Sequence, residues 1–142
     1  MPYCSLDDIR RQLPEAVVTI LTDDAITGSV DEGVVADAIA DADAEINAWL
    51  GGRYKVPFSQ VPDVIRKISI DIAVYNLDSR RDGALPEVRK DRYRNAVKLL
   101  ESIAKGIVTI GAEESVTPAG PADLPRYGAP DPVFTRETLK GF

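Results

Sequence analysis

Along residues 61–77 the apolar positions recur on two sides of a helix. At 3.6 residues per turn, Val61, Val64, Ile65, Ile68, Ile72 and Tyr75 share one face, while Ile70, Val74 and Leu77 share a second, roughly opposite. A surface helix needs one apolar stripe. Two stripes demand cover from both sides, so this stretch is expected to be the central post of the fold. Pro62 suits the first helical position, where its missing N–H would have had no partner. Asp63, Lys67 and Asp71 follow one another at four-residue intervals and predict a polar, exposed seam with weak pairing.

The same periodicity places further helices around the post. Ser5 caps a short helix whose Leu6, Ile9 and Leu13 face inward. Pro14 ends it or begins the next, Glu15 to Leu21, with Val17, Ile20 and Leu21 inward. Thr22 to Asp31 reads as a loop. Asp23, Thr27, Gly28 and Asp31 faintly echo a calcium loop, but Ala25 and Val34 stand where oxygen ligands are needed, so a turn leading into a helix cap is expected. Asp31, or Ser29 with Glu32, caps a long helix to Leu50 with a seam of Val35, Ile39, Ala42, Ile46 and Trp49. Gly51 and Gly52 end it, and residues 53–58 form an extended connector. Pro86 starts a last helix to Lys105, seamed by Tyr93, Val97, Leu100 and Ala104 and stopped by Gly106. The predicted fold is all-α: a small bundle of four to five helices over residues 1–111, followed by an extended, proline-rich C-terminal arm over residues 112–142.

Composition narrows the chemistry. The chain of 142 residues contains no histidine and one cysteine, Cys4. No Ser–His–Asp triad, Cys–His pair or Cys/His metal cluster can be assembled within one copy, so neither an enzyme nor a cofactor is expected. A lone cysteine cannot form an internal disulfide and fits a reducing compartment. Neither an apolar run of spanning length nor a signal-peptide pattern is visible, and no membrane partner is expected.

Charge is unevenly spread. The net charge of −6 conceals a front third, residues 1–49, at −9 and a stretch over residues 80–105 at +4. On the third helix Asp37, Asp41 and Glu45 stand four residues apart, away from the apolar seam. On the last, Arg94, Lys98 and Lys105 share a basic outer strip, with Arg89, Lys90 and Arg92 nearby. Asp37, Asp41, Glu45, Arg89, Arg94 and Lys98 are the candidate subunit-interface or channel-facing set: the acids either meet the basic helix of a neighbouring copy or repel a polyanion.

The arm carries a second candidate set. Ile107, Val108 and Ile110, with Thr109, form a β-prone segment with no partner strand in the chain, suited to adding to a partner's sheet edge. Pro118, Pro121, Pro125, Pro130 and Pro132 keep the arm from folding back as a helix. At its end Phe134, Leu139 and Phe142 suit apolar pockets, while Arg136 and Lys140 suit acids at the rim. Together these are the expected docking residues.

In order, the chain reads S-L-D-D-I, L-T-D, A-D-A-D-A-E-I-N-A-W-L, G-G-R-Y-K-V-P-F and V-P-D-V-I-R-K-I-S-I-D-I-A-V-Y-N-L. R-K-D-R-Y-R-N-A-V-K-L-L-E-S-I-A-K-G and a terminal F-T-R-E-T-L-K-G-F follow. This order resembles the small head–tail connector (adaptor) proteins of Mu-like tailed bacteriophages, a family once known only as a phage domain of unknown function. The likeness spans nearly the whole chain and is strongest over A-E-I-N-A-W-L through R-Y-K-V-P and V-P-D-V-I-R-K-I. The resemblance implies a virion protein of the phage neck, made in the host cytoplasm. It implies a homo-oligomeric ring of about twelve copies closing head-to-tail. Its implied partners are the portal protein ring, neighbouring adaptor subunits and a tail-side stopper or terminator protein. DNA would pass through the extended channel without sequence-specific binding.

One rival stays open on the residues alone. A helical DNA-binding regulator would use the basic residues between Arg80 and Lys105 against phosphates. Asp82, Glu87, Asp91 and Glu101 interrupt that run, and the whole chain is acidic.

Overall fold

The computed structural model describes residues 1–115. Five helices follow one another there, α1 (Leu6–Gln12), α2 (Glu15–Thr22), α3 (Glu32–Leu50), α4 (Asp63–Ser79) and α5 (Glu87–Ala104), with no strand among the described residues. The domain is a small all-α bundle, as its periodicity predicts.

Helix α4 touches each of the other four. Ile65, Ile68 and Ile72 on one face and Ile70, Val74 and Leu77 on the other are all buried. Each such side chain contributes about 1.5–3 kcal/mol through the apolar area it removes from water. Leu77 closes a small second cluster with Leu21 of α2 and Ala38 of α3, while the rest of the post belongs to the main core. Both stripes are therefore covered, with Ile70 and Val74 joining the main core and Leu77 alone the second cluster.

The polar seam behaves differently from its prediction. Asp71 is only 5% exposed. It lies in a cleft with Gln12 at the end of α1 and Arg92 on α5, and Lys67 Nζ donates to it at 2.9 Å while staying exposed itself. The long lysine stem lets the ammonium remain in water above a carboxylate that neighbouring helices have enclosed.

Caps account for the helix starts. Ser5 Oγ accepts the Asp8 N–H and the Asp8 carboxylate accepts the Ser5 N–H, a reciprocal capping box. Asp31 accepts the N–H groups of Gly33 and Val34. Pro14, Pro62 and Pro86 each stand immediately before a helix. On α3 the predicted seam holds through Ile46, but Trp49 is 39% exposed and Leu50 is buried in its place. Four residues on from Ile46 is Leu50, and at 3.6 residues per turn that position stays closer to the seam. Ile20, expected inward, is exposed, and Val18 fills the core instead.

Two connections tie the ends down. The Tyr3 N–H donates to Asp43 on α3, and its hydroxyl donates to Asn47 and accepts the Phe58 N–H. At the other end, Gly106 adopts φ +77, and the N–H groups of Ile107 and Val108 both donate to the Ser102 carbonyl. A left-handed glycine after the last turn closes a helix in this way. Residues 107–110 accordingly form a bend followed by irregular backbone rather than a strand. Beyond it, Lys55 N–H donates to the Glu113 carbonyl and Ser115 N–H to the Arg53 carbonyl, around a single antiparallel bridge between Tyr54 and Glu114.

Candidate assembly surfaces

Asp37 and Asp41 are exposed on α3 and line a cleft that also includes Asn76 and Arg80. Glu45 does not join them in solvent. It is half-buried and accepts the Tyr93 hydroxyl at 3.0 Å, and Tyr93 stacks on Tyr75 with ring centroids 4.0 Å apart. Burial, reinforced by the Glu45 carboxylate, pushes the Tyr93 hydroxyl up to about 12, so it remains a donor across the physiological range.

The basic strip of α5 is largely neutralised within the chain. Arg89 turns inward onto Asp78. Arg94 pairs with Asp91 at 3.2 Å, Lys90 with Glu87 at 3.3 Å and Lys105 with Glu101 at 2.5 Å. Arg80 and Arg81 both reach Asp24. Among the described residues, Arg92 and Lys98 alone of the eight cations over residues 80–105 lack a carboxylate within ion-pair reach. Of the six predicted interface residues, Asp37, Asp41 and Lys98 are exposed and have no ion-pair partner among the described residues. The fold occupies Arg89 and Glu45, and half-engages Arg94.

The predicted docking set divides likewise. Val108 and Ile110 are half-buried against the core, while Ile107 is exposed. Phe134, Arg136, Leu139, Lys140 and Phe142 lie outside the described residues. Arg53 holds the root of the arm: its guanidinium pairs with Glu114 at 2.8 Å and lies over the Tyr54 ring.

The loop between α2 and α3, expected only as a turn leading into a helix cap, is a braced element. Asp23 is its staple, accepting Thr27 N–H at 2.8 Å, Thr27 Oγ1–H at 3.0 Å and Gly28 N–H at 2.6 Å. Those backbone donors hold its carboxyl below the usual range. Arg80 clamps the loop from α4, donating to Asp24 at 2.5 Å and to the Leu21 carbonyl at 3.3 Å. At the tip Ile26 has φ 57 and is 91% exposed. The one signal in the sequence is a β-branched apolar residue set among Asp, Thr and Gly.

Two concavities flank these elements. An open groove of about 770 Å³ runs between the N-terminal segment and α3, over Leu6, Val35, Ala36 and Ala40, with Asp7, Glu32 and Asp43 along it. A notch of about 280 Å³ lies between Leu13, Val74, Pro86 and Val88, with Arg89 and Arg92 beside it. Cys4 at the inner wall of the groove is buried, and burial pushes its thiol up to about 11. Ser69 Oγ sits 3.2 Å from its sulfur and donates to Asp43 at 2.9 Å. This polar cluster joins the N-terminal segment to α3 and α4, and its thiol is not activated as a nucleophile.

The bacteriophage Mu Gp36 family matches residues 3–126 of the chain. The Mu-like prophage FluMu protein gp36 of Haemophilus influenzae is 35% identical over 117 residues, which cover 80% of this chain and 79% of that protein. Gene product J of Escherichia phage Mu is 30% identical over 145 residues, which cover 100% of this chain and 99% of that protein.

Proposed function

The chain belongs to the bacteriophage Mu Gp36 family, and from that premise we propose that it is a structural head–tail connector subunit of the phage neck. In this reading about twelve copies close a ring between the portal and the tail-side neck proteins and extend the DNA channel. The subunit performs no reaction and needs no cofactor. Its partners are the portal ring, its own neighbours, a tail-side stopper or terminator protein and the DNA in transit.

The observation that supports this over a DNA-binding regulator is the fate of the cations. Six of the eight basic residues over residues 80–105 are spent on acids of their own chain, while Asp37 and Asp41 stay exposed. A surface so arranged repels phosphates more than it holds them, which suits a wall past which DNA slides.

The test is a phage lacking this chain. Filled heads without attached tails are expected, with labelled protein restoring infectivity and appearing at the neck in particle images. Normal tailed particles without the chain would overturn the role. A duplex-DNA shift assay across a salt series separates the rival: a regulator binds with a steep salt slope, and this chain is expected to show none.

A further inference from the structure

Ile26 is an apolar side chain held out into solvent by a braced loop. A β-branched residue in the left-handed region is strained, and strain is kept only where surrounding structure enforces it. Here Asp23 enforces it from within the loop and Arg80 from α4. The backbone at the tip is thus set before anything binds, which lowers the ordering cost of a contact made by Ile26.

We propose that the Ile26 loop is a knob that seats in the notch between Leu13, Val74, Pro86 and Val88 of a second copy of this chain. The notch offers an apolar floor, and Val88 at its lip is 65% exposed. Charge selects the occupant. No lysine or arginine occurs between Gln12 and Arg53, and of the acids that flank Ile26, Arg80 and Arg81 meet Asp24 while Asp23, Asp31 and Glu32 have no cation within ion-pair reach among the described residues. The notch adjoins a cleft rimmed by Lys67 and Arg92; Asp71 lines both, and Lys67 neutralises it, which leaves the Arg92 guanidinium as the excess charge. Arg92 donates to the neutral Gln12 side chain at 2.9 Å and lacks a carboxylate partner among the described residues. An acidic loop with an aliphatic tip complements an apolar notch with an unneutralised guanidinium on its rim. The larger groove along α3 carries three acids, Asp7, Glu32 and Asp43, against Arg10 and the chain's N-terminal residue, and is the less favourable seat for the same loop.

Knob and notch are different patches of one surface, so each copy offers one of each, and the contact repeats head-to-tail until rotation closes it. The inference deepens the ring reading and rests on it for closure alone.

The experiment uses the full chain. Ile26→Gly removes the side chain and suits the left-handed φ, so this variant is expected to melt at or above the wild-type midpoint. Its self-association, read by sedimentation, is expected to weaken about tenfold or more. In parallel, Ile26→Cys and Val88→Cys chains are oxidised separately and mixed, both in solution and on isolated portal rings. Only the mixture is expected to give a reducible two-chain species, because the native Cys4 is buried. Undiminished assembly of Ile26→Gly with no mixed cross-link overturns the contact and leaves the ring standing. Normal assembly of that variant with lost portal binding assigns the knob to the portal and overturns the second-copy occupant. A wild-type chain that stays monomeric in solution and on the portal overturns both the contact and the ring.

Discussion

Arg89 on α5 reaches back to Asp78 near the end of α4, and the two side chains enclose each other with 18% and 6% of their surface left exposed. The pair spans the connection over residues 80–86 and fixes how α5 leaves α4. Arg89 was expected near an outward basic strip, at a subunit interface or the channel; it serves instead as an internal tie.

Breaking that tie from one side is costly. Arg89→Met leaves a buried carboxylate without its partner, and a loss of about 3–5 kcal/mol is expected in urea unfolding of the full chain. Replacing both residues, Arg89→Met with Asp78→Leu, is expected to restore most of that loss, because two apolar groups need no mutual compensation. A double variant as unstable as the single one would show that the geometry of the pair, and not its buried charge, sets the cost.

Ile68 tests the central post. It is 1% exposed on the face of α4 that belongs to the main core. Ile68→Asp places an unpaired charge there and is expected to cost more than about 4 kcal/mol, enough to leave little folded protein at 25 °C by circular dichroism. A variant melting within a degree or two of wild type would remove α4 from the centre of the fold.

The post, the caps and the last-helix stop were legible because each depends on residues within a few positions of one another. Two stripes on residues 61–77, Ser5 before Asp7 and Asp8, and Gly106 after Ala104 are local signals. What escaped reading depends on partners far along the chain. Asp71 looks like a surface acid until Gln12 and Arg92 close over it. Tyr3 looks like part of a tail until Asp43 and Phe58 claim its hydrogen bonds. Of the assembly surfaces, the exposed acids at positions 37 and 41 follow from helical period alone. The pairing of Arg89 and the exposure of Ile26 follow from tertiary packing and loop bracing, which no window of sequence contains.

Gly106 carries a conformational and a steric demand together. Its φ of +77 disfavours any side chain, and a Cβ there would run into the Arg53 guanidinium. Gly106→Ala is expected to lose about 1–2 kcal/mol from backbone strain, and no more than about 1 kcal/mol further as the flexible Arg53 side chain moves aside and gives up its exposed ion pair. Arg53→Ala by itself removes an exposed ion pair with Glu114 and is expected to cost no more than about 1 kcal/mol. Combined, the two substitutions are expected to be less destabilising than their sum, since the second makes room for the first. Strict additivity in thermal melts would remove the steric part of the explanation.

Asp23 makes the α2–α3 loop acid-sensitive. Its folded carboxyl titrates below the ordinary 3.8 because the Thr27 and Gly28 N–H groups donate to the charged form. A depressed acid contributes fully above its unfolded value, and the contribution is lost as pH falls through the folded value. The Thr27 and Gly28 amide resonances are therefore expected to hold steady down to about pH 4 and then move together as Asp23 protonates. In Asp23→Asn that shared acid transition is expected to vanish. Its persistence in the variant would point to a different titrating group.

Where the arm begins decides what truncation reports. Cutting after Gly111 removes the Glu113 carbonyl that accepts Lys55 N–H, the Ser115 N–H that binds the Arg53 carbonyl, and the Glu114 partner of Arg53. At about 0.5–1.5 kcal/mol for each hydrogen bond and up to about 1 for the exposed ion pair, that chain is expected to melt several degrees lower. Cutting after Ser115 keeps all three, and its midpoint is expected to stay within about two degrees of wild type. Both truncations discard Phe134, Arg136, Leu139, Lys140 and Phe142, the proposed anchor for the portal or a neighbouring subunit. If the anchor works as proposed, the chain ending at Ser115 keeps its helical content and loses binding to portal rings. A chain ending there that binds as tightly as wild type would transfer docking to the helical domain itself, where Ile107 and the exposed acids of α3 are the remaining candidates.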